Sequence, residues 1–287
     1  MKIIKKLSII SIIISVIGIA GLIMLAFQPY TMYDLFGMSR YVPVRVFSDG
    51  DAMPSNIYPL AAAAMTIQLL LVILAAVLVM YGKLKKMAVF LSGASIFLVI
   101  IAQLIGEFFD NWGFKENELA RMGFRAFNSI CRFWLVLVLV AAALCFICAL
   151  LSVRANPGNL SVLSVVSLAV FLLTVGFNAL TDRDNSDYFL FFVLPYIITA
   201  VMFIVLNIMT LTKKAGYKAG LTAIVFTALF PLTLHLSNMF LSGDYYGIMN
   251  LIGKGGYADF FMTLWYLGGC VSAAAAIKNE NERNNQE

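Results

Sequence analysis

The sequence predicts an all-α fold: a polytopic transmembrane helical bundle of about eight spans, with a candidate parallel 4+4 tandem repeat. Three observations predict it. Of the 287 residues 62% are apolar and 12% charged, with a mean hydropathy of +0.92, more apolar surface than a water-soluble chain of this length can hide. The runs of Leu, Ile, Val, Ala and Phe are continuous, without the alternation of a membrane β-strand. The charges are confined to the segments between those runs.

A hydrocarbon core of ~30 Å takes ~20 helical residues to cross. The spans read as roughly 7–27, 58–81, 87–107, 133–153, 161–180, 188–212, 220–241 and 260–277. No Lys, Arg or Asp falls inside them, and the one acid, Glu107, closes the third. The first span follows Lys2, Lys5 and Lys6 in the manner of a secretory leader. Its apolar run is longer than a leader's, and no Ala-x-Ala site precedes Gln28-Pro29, so a retained helix is expected.

Orientation follows from the charges. With the N-terminus inside, the inner segments hold twelve basic residues against the acids Glu280, Glu282 and Glu287, a net of +9. The outer segments then hold eight basic and twelve acidic residues, a net of −4. That asymmetry predicts a cell-membrane protein with both termini cytoplasmic. The pI of 9.0 therefore reports topology, and the expected neighbours of the Lys clusters are membrane lipids, with no nucleic acid.

The chain divides near Pro157-Gly158 into a first four-span half, 1–154, and a second, 155–277, followed by a polar cytoplasmic tail, 278–287, expected to be disordered. Each half carries a Lys-rich turn between its second and third spans. Gly123 lies 37 residues after Lys86 and Gly256 38 after Lys218, each opening a Gly-aromatic-x-x-Phe string. Gln103 and His235 each lie 17 residues past the same lysines. Four helices per half make any repeat parallel. Coincidence is the competing account, since apolar helices resemble one another.

Two long outer loops are expected at 28–57 and 108–132, and a shorter one at 242–259. In the second, Leu119, Met122, Ala126, Phe127 and Ile130 recur at mostly three- and four-residue steps, the pattern of a short amphipathic helix. Such a helix either covers an outward site as a lid or lies on the outer leaflet.

Counting excludes several chemistries. One histidine rules out paired-His haem and H-E-x-x-H zinc sites, and no Walker loop is present. No cofactor and no metal site is expected, and a catalytic role is disfavoured. Cys145-Phe146-Ile147-Cys148 puts two thiols on one face of the fourth span. Redox chemistry needs a lowered thiol pKa, which an apolar helix does not give, so packing is the expected role. Pro195 and Pro231 interrupt the sixth and seventh spans, and Gln68 and Asn207 read as isolated helix–helix contacts.

The remaining polar set gathers near the outer ends of three spans running the same way. Gln103 and Glu107 are four apart, His235 and Asn238 three apart, and Asn178 lies in the fifth span. Together they form the candidate ligand-binding cluster, with Glu107 as charged group and His235 as titratable partner. The alternative is that the amides join helices while Glu107 begins a wet loop. The expected function is transport of a small solute or a lipid, alone or as a membrane subunit of a transport system. The alternative is a non-catalytic accessory protein that binds another membrane protein or lipid.

Overall fold

A backbone in hydrocarbon has no water to bond, so each apolar run must satisfy its own amides, and a helix does so within the segment. The computed structural model describes residues 2–27, 57–112, 137–181, 194–241 and 256–284. Eight helices fall among the described residues. They are α1 (Lys2–Phe27), α2 (Ile57–Tyr81), α3 (Lys85–Trp112), α4 (Leu137–Ser152), α5 (Pro157–Thr181), α6 (Leu194–Leu211), α7 (Tyr217–Leu241) and α8 (Gly256–Asn284). The outer loops and the amphipathic segment at 119–130 lie outside the described residues.

The short connections are set by backbone chemistry. Gly82, at φ +68°, ends α2 and donates its N–H to Val79 O at 3.1 Å. Lys213, at φ +57°, does the same for α6, and the amides of Lys214 and Ala215 both return to Met209 O. Pro157 does not lie in a turn. It opens α5 at a position where its missing N–H is of no consequence, and the Asn156 side chain accepts the Gly158 N–H at 2.8 Å. Pro195 is the second described residue of α6, and Pro231 lies inside α7, which continues to Leu241.

Side-chain partners fix how the helices run. Ile4 and Ser11 of α1 face Cys148 and Ala141 of α4, so these two are antiparallel. Ser164 faces Ser272 and Leu168 faces Gly268, so α5 and α8 are antiparallel too. Thr199 with Trp265 and Asn207 with Ser272 make α6 parallel to α8. The start of α1, the connections 82–84, 153–156 and 212–216, and the end of α8 therefore share one end of the bundle. At that end Lys5, Lys6, Lys83, Lys85, Lys86, Arg154, Lys213, Lys214, Lys218 and Arg283 are all exposed.

Two helices are central. α4 is buried on every side from Val138 to Leu150, and α8 is buried from Thr263 to Asn279 apart from Leu264 and Leu267. Their sequences say why: Ala141–Ala143, Cys145 and Cys148 in α4, and Gly268, Gly269, Ser272 and Ala273–Ala276 in α8, are small enough for neighbours on all faces. α4 meets α1, α2 and α3, while α8 meets α5, α6 and α7 and also touches α3. Cys270 Sγ donates to Ala143 O at 3.7 Å and joins the two.

The tail departs from expectation. The expected disorder does not begin at 278, because α8 continues to Asn284. Lys278 Nζ donates to Val153 O and Ala155 O, and Asn279 Nδ2 to Ala215 O at 3.2 Å. These bonds clasp two connections to the last turns of α8, and Arg283 pairs with Glu280 one turn on at 2.6 Å.

Candidate functional site

Polar and apolar faces are inverted relative to a soluble protein. On α1 the buried face is Ser8, Ser11 and Ser15, while Ile9, Ile10, Ile13, Val16 and Ile17 are exposed. On α5, Ser161 and Ser164 are buried while Val162, Leu163, Val166, Val170 and Leu173 face outward. A contiguous exterior of this kind is stable only against lipid. The hydroxyls work inside: Ser11 Oγ donates to Ala141 O at 2.8 Å, and Ser95 Oγ to Gln68 O at 3.3 Å.

Asn207 is not isolated. The two protons of its Nδ2 are shared among Ser272 Oγ at 2.7 Å, Ser164 Oγ at 2.9 Å and Phe203 O at 2.7 Å, and Ser164 donates to Gly268 O at 2.8 Å, while Asn207 Oδ1 has no hydrogen-bond partner among the described residues. This knot ties α5, α6 and α8 together in a dry interior. Gln68 is buried as well, and its Oε1 has no hydrogen-bond partner among the described residues.

Beside the knot, Trp265 is fully buried and anchors an aromatic cluster. Its ring meets Tyr196 edge-on at 5.0 Å and Tyr266 at 5.2 Å, with Phe203 at 5.5 Å. Its Nε1 donates to Thr199 Oγ1 at 3.0 Å, so the indole is both packed and bonded.

α6 and α7 both lean on α8 but touch each other at only a few positions. The gap between them is a half-open cavity of about 290 Å³. Thr199, Met202, Phe203 and Leu206 line one wall, and Ala219, Thr222, Ala223 and Phe226 the other. Thr199 Oγ1 is engaged with its own helix carbonyls and with Trp265, and Thr222 Oγ1 donates to Lys218 O at 3.0 Å. The surface left to a ligand is hydrocarbon and ring edge.

Gln103 and Glu107 lie on α3, Asn178 on α5, and His235 and Asn238 on α7, all toward the C-terminal ends of those helices. Their side chains lie outside the described residues. The cysteine pair is described. Cys145 Sγ donates to Val72 O on α2, and Cys148 Sγ to Ile4 O on α1, each at 3.6 Å. The two thiols serve different neighbours, as packing residues do. Among the described residues no cluster of His, Cys, Asp or Glu is disposed to hold a metal ion.

Three helices among the described residues have a stretch long and apolar enough to cross a bilayer: Ile3–Met24, Pro157–Val175 and Leu194–Leu211. Shorter apolar helices run over Met65–Tyr81, Leu137–Ser152 and Tyr217–Pro231. With the inverted exterior, these define a multi-pass helical membrane protein. No protein-family model, no curated protein and no solved structure matches the chain.

The cavity is the feature that sequence reasoning missed. Its walls have a helical signature, Thr199, Met202, Phe203, Leu206 and Ala219, Thr222, Ala223, Phe226, each at steps of three, one and three. That signature marks a face, and does not say whether the face meets a helix or a ligand.

Proposed function

We propose that the protein is a component of membrane transport acting on a lipid or lipid-like molecule, with its basic end in the cytoplasm. The observation that carries this reading is the cavity between α6 and α7, whose hydroxyls are spent within the protein and which opens to the outside beside exposed Met202 and Thr222. A small polar solute would need unspent polar groups at mid-membrane. Asn207 Nδ2 is bonded within the knot, and Asn207, whose buried Oδ1 has no hydrogen-bond partner among the described residues, does not line the cavity.

The outer polar set belongs to the proposal as an outward pocket, with Glu107→Gln and His235→Ala abolishing activity at normal protein levels. The direct test is reconstitution into vesicles that carry a fluorescent phospholipid in one leaflet. Acceleration of its passage to the other leaflet, removed by Thr222→Trp at the cavity's lip, supports transport. A chain that moves no lipid and leaves its native membrane with a stoichiometric second protein supports the accessory role instead. The burial of the central helices α4 and α8 on nearly every side among the described residues favours that second reading.

A further inference from the structure

The proposal of a lipid-like cargo does not say which lipid, and the ends of the cavity do. Resting on that reading, we infer that the α6–α7 cavity is an anionic phospholipid site, with an acyl chain between the helices and the headgroup phosphate over Lys213, Lys214 and Lys218.

The apolar part is the cavity itself. From Thr199 to Leu206 the wall runs seven residues, roughly 10 Å at the helical rise. Its floor is Phe203, and its two hydroxyls are satisfied within the protein. An extended hydrocarbon chain meets these walls without stranding a polar group, whereas a polar ligand would find no donor left for it.

Among the described residues of α6, α7 and their connection, the charge lies at one end. The wall on α7 begins at Ala219, the residue after Lys218, and the wall on α6 ends at Leu206, seven residues before Lys213. Between them the 212–216 connection is held in one shape. The Lys213, Lys214 and Ala215 amides return to Thr210 O and Met209 O, and the Asn279 side chain holds Ala215 O from the far side. All three lysines are exposed on this braced connection and the first turn of α7. The N-terminal end of α7 adds its partial positive charge at the same place. Glu280, which lies against Gly216, does not cancel that charge, because Arg283 pairs with it. A basic rim over an apolar slot matches one chemistry, a phosphodiester carrying acyl chains.

In the first half the pair in the corresponding place by chain order, α2 and α3, is in much closer contact than α6 and α7, and Ser95 donates to Gln68 O across it. Lys83, Lys85 and Lys86 stand at that end as well. Lysines beside a close pair are thus the internal control for lysines beside an open one.

The test is native mass spectrometry of the full chain in detergent, titrated with phosphatidylglycerol and with phosphatidylcholine of the same acyl chains. The wild type is expected to hold phosphatidylglycerol about tenfold more tightly. Replacing Lys213, Lys214 and Lys218 together by Gln should remove that preference and leave phosphatidylcholine binding unchanged. Replacing Lys83, Lys85 and Lys86 by Gln should change neither. Thr222→Trp, at the exposed lip, should weaken both lipids alike, and Ala223→Phe on the buried wall should do the same. Equal binding of the two lipids by the wild type overturns the headgroup assignment and leaves the cavity's apolar reading intact. Unchanged binding of both lipids in the two cavity variants overturns the reading itself. Displacement of the lipid by millimolar glycerol phosphate would overturn the lipid in favour of a free phosphate ester.

Discussion

Replacing Gly220 by Ala tests the packing that brings α7 onto α8. A Cβ at that position would stand 2.5 Å from Ile277 Cγ1 and 3.2 Å from both Ala273 O and Ile277 N. The 2.5 Å clash is with the branch of a buried side chain, and the two α8 backbone atoms at 3.2 Å are tight as well, so moving Ile277 alone does not clear the site. Overpacking of this kind costs about 1–3 kcal/mol. With three such contacts at once the cost falls in the upper part of that range, about 2–3 kcal/mol; the helix preference of Ala over Gly returns about 1 kcal/mol, leaving a net loss of about 1–2 kcal/mol. That is roughly a 5- to 30-fold fall in the folded-to-unfolded ratio. Gly18→Ala is the matched control, because its Cβ would meet only Leu69, with the tip atom Cδ1 nearest at 2.8 Å. There the clash and the helix gain nearly cancel, and the change should stay within about 0.5 kcal/mol. Reversible denaturation in mixed micelles, followed by circular dichroism, reads both. A Gly220→Ala protein as stable as the wild type, or a Gly18→Ala protein that loses more, would refute the close α7–α8 contact.

Asn207→Leu removes two interhelical bonds averaging ~0.6 kcal/mol each, so the same assay should show a loss of about 1 kcal/mol, with Ser164 still bonded to Gly268 O. A loss above about 3 kcal/mol would mean that the knot does more than join helices. Cys145→Ala and Cys148→Ala together should leave the amount of protein and any activity unchanged, whereas inactivation by Cys145→Ser alone would restore the redox reading. Burial holds the Lys278 ammonium below its ordinary 10.5, with Glu282 pulling the other way. The unfolded chain then binds that proton more readily, so stability rises as pH climbs from the lowered value toward 10.5. Melting curves across that window should be flatter for Lys278→Gln, and an unchanged slope would contradict the buried ammonium.

The membrane class was legible because lipid imposes one simple pattern, long apolar runs with the charge between them. The clasp at Lys278 and Asn279 was not. Those residues follow a run of alanines and read as a polar tail, and only their position beside the carbonyls of Val153 and Ala215 makes them helical. Pro157 was legible as a proline but not as a helix opener, since the residue type is the same in a first turn and in a loop. Asn207 looked solitary because Ser164 and Ser272 are small and each is sited on another helix. The cavity was hidden for a related reason: a sequence shows the face of each helix but not the space between two that diverge.

The lipid in the α6–α7 cavity can be read out by labelling with a phosphatidylglycerol that carries a photoreactive diazirine in its acyl chain, in vesicles of the whole protein. Label should concentrate on the residues from Thr199 to Phe226 and be lost from them in the Thr222→Trp protein. Label spread evenly over the exposed isoleucines and valines of α1 and α5, and unmoved by that substitution, would contradict that placement.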